Sequence, residues 1–118
     1  MNIKQLDKLF KLDQYIKFYV PSTMDVDNHI DNTKYKLKVM KAFAKYFGGF
    51  TEENGDKGGW KSETKGVVKE DVTKIASFAT TEQLEENISK VLRLARSIKK
   101  EMGQESIALE INNALYLI

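Results

Sequence analysis

Phe47-Gly48-Gly49-Phe50-Thr51-Glu52-Glu53-Asn54-Gly55-Asp56-Lys57-Gly58-Gly59-Trp60, followed by Lys65-Gly66-Val67-Val68-Lys69-Glu70, lies in the middle of a chain of 118 residues. This stretch holds six of the seven glycines and the single tryptophan. It joins two long amphipathic segments, so its reading sets the topology. Gly48 stands where a helix wants a left-handed residue past its end. Residues 50–54 begin a strand, 55–59 supply turn material, and the strand resumes at 60–63. Thr64-Lys65-Gly66 makes a second turn. A long strand follows over 67–78, with Val68, Val72, Ala76 and Phe78 on one face. Val67 and Ile75 fall out of that phase, which calls for a bulge or a sheet partly covered on both faces.

Upstream, Asn32 or Thr33 can cap a helix whose stripe is Tyr35, Val39, Met40, Phe43, Ala44 and Phe47. Lys34, Lys38, Lys41 and Lys45 lie largely on its solvated side. Before it, residues 15–20 alternate as a strand, with Ile16, Phe18 and Val20 on one face and Lys17 and Tyr19 on the other. Pro21 ends that strand. Residues 22–32 form a polar loop rich in Asp and Asn, without the glycine and terminal glutamate of a calcium loop. Over 3–13 the apolar positions Ile3, Leu6, Leu9 and Phe10 have helical spacing, so 1–14 is predicted as a short amphipathic helix.

Downstream, Thr80 and Gln83 have capping-box spacing. Leu84, Ile88, Val91, Leu92, Ala95, Ile98 and Met102 keep a helical stripe to Gly103. Residues 106–111 alternate with Ile107, Leu109 and Ile111 on one face. Asn112-Asn113 suits a type I′ turn, and 114–118 returns as a short strand. The order is βαββαβ with an added N-terminal helix and a short C-terminal hairpin strand. That is an α+β fold on the ferredoxin-like plan, in one domain of residues 1–118 with its core over 15–118. Both long helices then cover one sheet face.

Composition narrows the function by exclusion. The formal charge is +2 and there is no cysteine. Arg93 and Arg96 are the only arginines. Nucleic acid is therefore not an expected partner, and disulfides, thiolate catalysis and cysteine-ligated metals drop out. No run is long and apolar enough for a membrane span. The chain is read as cytoplasmic, without a cofactor or metal site. The lone His29 lies in the polar loop with no catalytic partner in sequence. No nucleophile elbow or carboxylate pair is legible. The segment Gly55-Asp56-Lys57-Gly58-Gly59 fails the phosphate-loop pattern, since no helix opens there. Its backbone amides and lysines could still hold an anion. The candidate ligand-binding residues are Lys57, Trp60, Lys61, Tyr19 and Glu70, with stacking on Trp60. The other reading of Trp60 is core or interface packing.

Gly49-Phe50-Thr51, Gly55, Gly59-Trp60, Gly66-Val67-Val68-Lys69-Glu70 and Gly103-Gln104-Glu105-Ser106, in that order and spacing, resemble a family of small uncharacterised bacterial proteins. Relatives of that family occur on phages and mobile elements of Gram-positive bacteria. The likeness runs over about residues 15–118 and includes Lys17-Phe18-Tyr19-Val20 as the opening strand. It implies a ferredoxin-like α+β domain, no established reaction and no site residues. It also implies a host-interaction role, such as blocking a bacterial defence system. The expectation from the sequence is a small non-enzymatic binding protein. It would act as a homodimer through protein–protein contacts, with a host protein or a small anionic ligand as partner. The alternative is a small-ligand-binding or nucleotide-binding protein, or an enzyme, using a pocket near Trp60.

Overall fold

The computed structural model describes residues 3–24, 28–62, 64 and 66–118, and for 55–61 and 68–71 the backbone alone. After a single 3-10 turn at Lys4–Leu6, the elements run β1 (Gln14–Val20), β2 (Thr23–Met24), β3 (Asn28–His29), α1 (Thr33–Phe47) and β4 (Thr51–Ser62). They continue with β5 (Gly66–Ala79), α2 (Thr81–Glu101), β6 (Ala108–Ile111) and β7 (Ala114–Leu117). Five strands form one sheet in the order β4-β5-β1-β6-β7, and β2 pairs with β3 apart from it. Every pairing is antiparallel. The chain is thus α+β, with two α-helices and a five-stranded antiparallel sheet.

Alternation in β1 builds the core. Ile16, Phe18 and Val20 point to one face and are at most 1% exposed. The register sets Ile16 against Ser77 and Phe18 against Ile75 on β5, and Phe18 against Leu109 on β6. Tyr35, Val39, Phe43 and Phe47 from α1, and Val91, Ala95 and Ile98 from α2, close over that face. Phe43 sits edge-on to both Phe18 and Phe47, an arrangement aromatic quadrupoles favour. One amphipathic stripe per helix therefore accounts for one covered face of the sheet.

The ends of the helices are chemically specified. Thr80 accepts from the Gln83 amide at 3.1 Å while the Gln83 side chain accepts from the Thr80 amide at 2.9 Å, the reciprocal capping box. At α1 the N-cap position falls on Asn32, as expected, but its side chain makes no capping bond. Asp31 accepts from the Thr33 amide at 3.0 Å, while Asn32 reaches back to the Pro21 carbonyl at 2.9 Å. Gly48 at φ +88° and Gly103 at φ +61° occupy the left-handed region just past the two helices. Asn87 was not in the predicted stripe of α2 but is buried. Its amide nitrogen donates to the Gln83 carbonyl at 2.8 Å.

Four expectations need correction. Residues 3–13 do not form a helix. Beyond the turn at Lys4–Leu6 they run irregularly, and none of them is buried. A helix of three turns is marginal without a packed partner, whatever its pattern. Residues 55–59 are not a turn: β4 continues through them, paired to β5 from Asp56↔Val72 to Ser62↔Gly66. The ladder shifts between Glu53 and Asp56, so the extra residue is a bulge in β4 rather than in β5. Both faces of β5 are partly covered, one of the two readings the sequence left open, with Ala76 2% exposed on the same face as Phe78. Ile75 and Ala79 are buried under the helices, while Phe78 is 57% exposed on the other side. Lastly, Asn112 alone of the Asn pair takes a positive φ, +55°, whereas a type I′ turn needs both central residues there.

Candidate functional site

The sheet face opposite the helices carries a chemistry of its own. Tyr15, Lys17 and Tyr19 of β1 point there, alternating with the core residues. Register brings Phe78, Ala76 and Lys74 of β5 beside them. Thr51 and Glu53 of β4 lie one strand further, against Ala76 and Lys74. Glu110 of β6 pairs with Lys17 from the other side. A row of acids, cations and aromatic rings thus crosses four strands.

The row is internally bonded. Lys17 Nζ lies 3.2 Å from Glu53 Oε2. The Tyr19 hydroxyl donates to Glu110 Oε1 at 3.0 Å. Lys74 stands over the Tyr19 ring, 5.6 Å from its centre, and Lys17 over that of Tyr15 at 5.5 Å. Tyr15 and Phe78 pack their rings at 4.9 Å. Burial pushes the Tyr19 phenol up, and its hydrogen bond to Glu110 pushes the same way, past the opposing pull of Lys74 and Lys17. Tyr19 is therefore a neutral donor at physiological pH. For Lys17, burial pulls down, but the hydrogen bond to Glu53 and the neighbouring Tyr15 together outweigh it, and the ammonium is held above its ordinary range.

At one end of the row the face hollows into a groove of about 880 Å³. Its acids are Asp13, Glu53 and Glu110, and its aromatic walls are Tyr15, Phe50 and Phe78. Thr51, Asn112 and Asn113 add uncharged polar groups, and Gly48 and Gly49 also line it. Asn112 is held in place: its side-chain oxygen accepts from the Tyr15 amide at 3.0 Å, and its nitrogen donates to Gln14 Oε1 at 2.9 Å. A groove of this size, with aromatic walls and a few fixed polar groups, suits a nucleoside-sized ligand. A second hollow of about 340 Å³ lies between the helices, where Lys45, Lys90 and Arg93 surround Tyr46 and Leu94. Its charge is opposite to that of the groove. Among the described residues no group of three or more metal-binding side chains is gathered.

Of the five residues singled out in the sequence, Tyr19 lies in the charged row on this face. The side chains of Lys57, Trp60, Lys61 and Glu70 lie outside the described residues. Their backbones belong to the ladder, with Trp60 opposite Val68, Lys57 opposite Asp71 and Glu70 opposite Gly58. His29 pairs with Thr23 in the small β2–β3 hairpin and is exposed. Sequence reasoning missed Tyr15, Glu53, Phe78 and Glu110. The alternation in β1 was the available signal, since Tyr15, Lys17 and Tyr19 are an aromatic and charged set with no apolar role on their face.

The class of the molecule follows from this geometry: an α+β protein with one helix-covered sheet face and one bare, polar face hollowed at its end. No family model matches the sequence, and no curated protein sequence is similar to it. Solved structures do share the fold. A phage SAM lyase in complex with S-methyl-5′-thioadenosine matches with a TM-score of 0.63, over 96% of this chain and 94% of the other, at 18% identity. A phage SAM lyase in the apo state matches with a TM-score of 0.60, over 89% and 87%, at 17% identity. These likenesses correct the expectation of a non-enzymatic binding protein. That expectation took the absence of a legible catalytic motif as an argument against catalysis, and the same architecture carries a lyase.

Proposed function

We propose that this protein is a lyase acting on S-adenosylmethionine, with the groove at the end of the open sheet face as its substrate site. The carrying observation is the near-complete overlap of the chain with a phage SAM lyase holding S-methyl-5′-thioadenosine. The groove supports it independently. S-adenosylmethionine bears a sulfonium, an ammonium and one carboxylate, so its net charge is positive. It belongs in the hollow lined by Asp13, Glu53 and Glu110, not in the one lined by Lys45, Lys90 and Arg93. Phe50 or the Tyr15–Phe78 pair offers a face for the adenine, and Thr51, Asn112 and Asn113 offer partners for the ribose hydroxyls.

S-methyl-5′-thioadenosine retains the sulfur, its methyl group and the adenosyl group. A lyase that leaves it breaks the bond between sulfur and the γ-carbon, whose electron pair goes to sulfur and cancels the sulfonium charge. Because charge disappears in that step, a half-dry site that binds the two ends of the substrate helps more than a carboxylate fixed on the sulfonium. Glu110 and Glu53 are suited to the ammonium. Their partners Tyr19 and Lys17 hold them in place.

The strand order β4-β5-β1-β6 supports a ferredoxin-like plan extended by β7. The phage neighbours support membership in a family carried by phages or mobile elements, where removal of S-adenosylmethionine would starve a host defence that consumes it. Homodimer formation also stands as a proposal, read by light scattering at micromolar protein. The functional reading is tested by incubating the purified protein with S-adenosylmethionine and no methyl acceptor. S-methyl-5′-thioadenosine should accumulate, and chromatography of the isomeric amino-acid product separates internal lactone closure from elimination. Unchanged S-adenosylmethionine after many equivalents of enzyme-hours would refute the reading.

A further inference from the structure

Residues 3–12 present a conflict between pattern and conformation. Five large apolar side chains fall within ten positions, and all are exposed: Ile3 38%, Leu6 54%, Leu9 62%, Phe10 84% and Leu12 38%. The spacing of Ile3, Leu6, Leu9 and Phe10 is that of an amphipathic helix, yet only one 3-10 turn forms and none of these residues is buried. A soluble chain rarely leaves so contiguous an apolar set bare without a use for it.

The place where this segment is tied down suggests the use. Leu12 and Asp13 line the groove described above, so the segment springs from its rim. The groove mouth itself exposes Phe50 at 45% and Phe78 at 57%. From Leu12, nine residues reach about 30 Å when extended, or about 14 Å as a helix. Lys4, Lys8 and Lys11 fall largely off the apolar stripe, so the segment can lay its apolar side down and keep its charges in water.

We propose that residues 3–12 are a strap that folds over the occupied groove, laying Leu9 and Phe10 against the Phe50 and Phe78 side of the ligand. This rests on the lyase reading of the groove and adds its gate. The strap would keep water from a reaction that must proceed without it, and would slow escape of the bound thioadenosine. Folding of the segment would then be coupled to ligand binding, which gives its helical pattern a use.

Limited trypsin digestion tests the strap, because Lys4, Lys8 and Lys11 lie within it. Binding of S-methyl-5′-thioadenosine is first measured by calorimetry on the same protein. With the ligand saturating, release of peptides ending at Lys8 and Lys11 should slow by about tenfold or more, since cleavage tracks the open population. The double variant Leu9→Asp with Phe10→Asp alters only exposed side chains, so it should fold as the parent does. It should lose that protection and bind the thioadenosine several-fold more weakly. Binding with unchanged cleavage at Lys8 and Lys11 would overturn the strap and leave the lyase reading standing. Absence of binding would overturn both. Protection that appears without ligand and grows with protein concentration would overturn the strap in favour of a second copy covering the segment.

Discussion

The two faces of β1 differ in what their side chains are for. On one, Ile16, Phe18 and Val20 are sealed against two helices. On the other, Tyr15, Lys17 and Tyr19 stay half-buried with no helix above them, and spend their contacts on Glu53, Glu110 and Lys74. The six residues Tyr15 to Val20 thus divide between a packed face and a polar one in strict alternation, because the pleat gives each face every second side chain. The lesson is that a strand buried on one side leaves its other side free to carry chemistry at little cost to the fold.

Substitutions on the two faces should therefore fail differently. Phe18→Ala on the closed face should cost about 3–5 kcal/mol by denaturant melting, as expected when a large core ring leaves a cavity. Activity would fall only as the protein unfolds. Glu110→Gln on the open face should leave the melting midpoint nearly unchanged but raise the KM for S-adenosylmethionine about tenfold, or roughly 1.4 kcal/mol of lost binding. If Glu110→Gln instead melted early with intact binding, the division between the faces would be broken. Thr80→Ala removes a cap remote from both faces and should cost about 1 kcal/mol of stability with no change in binding.

Smaller effects sharpen the comparison. The Tyr19 phenol is raised above the ordinary tyrosine value, first by burial and then by Glu110. Its stabilising contribution is thus complete below about pH 10 and is lost as pH rises through the folded value. Tyrosinate absorbance should show one late-titrating residue that disappears in Tyr19→Phe. In Glu110→Gln the same transition should move down toward the ordinary value. At the small end, Glu101 lies at the surface and is held below the usual carboxylate range by its hydrogen bond to Lys34. Its contribution is present at neutral pH and is lost as pH falls through the folded value. Glu101→Gln should produce no resolvable shift in melting midpoint at pH 7, as usual for solvated pairs.

The closed face was legible in the sequence because its signals are local. The stripe from Leu84 to Met102 repeats over five turns, and Thr80 with Gln83 announces where it begins. The strand β1 and the hairpin that ends in β7 were legible for the same reason. The N-terminal segment misled because its pattern is helical while a helix of three turns is marginal until it is packed. The glycines at 55, 58 and 59 misled because turn composition also suits a bulged, twisted strand. The open face was mostly hidden because its members are far apart in the chain. Tyr19 meets Glu110 across 91 positions and Lys17 meets Glu53 across 36, and only the register of β1 against β5 and β6 brings them together. No local motif encodes that meeting.

The most direct test of the open face as the site is an amide chemical-shift map with added S-methyl-5′-thioadenosine. Saturable shifts should concentrate at Tyr15, Phe50, Thr51, Glu53, Phe78, Glu110 and Asn112, which surround the groove. Shifts confined to Lys45, Tyr46, Lys90 and Arg93 between the helices, or to residues 57–61 of β4, would contradict it and move the site elsewhere on the molecule.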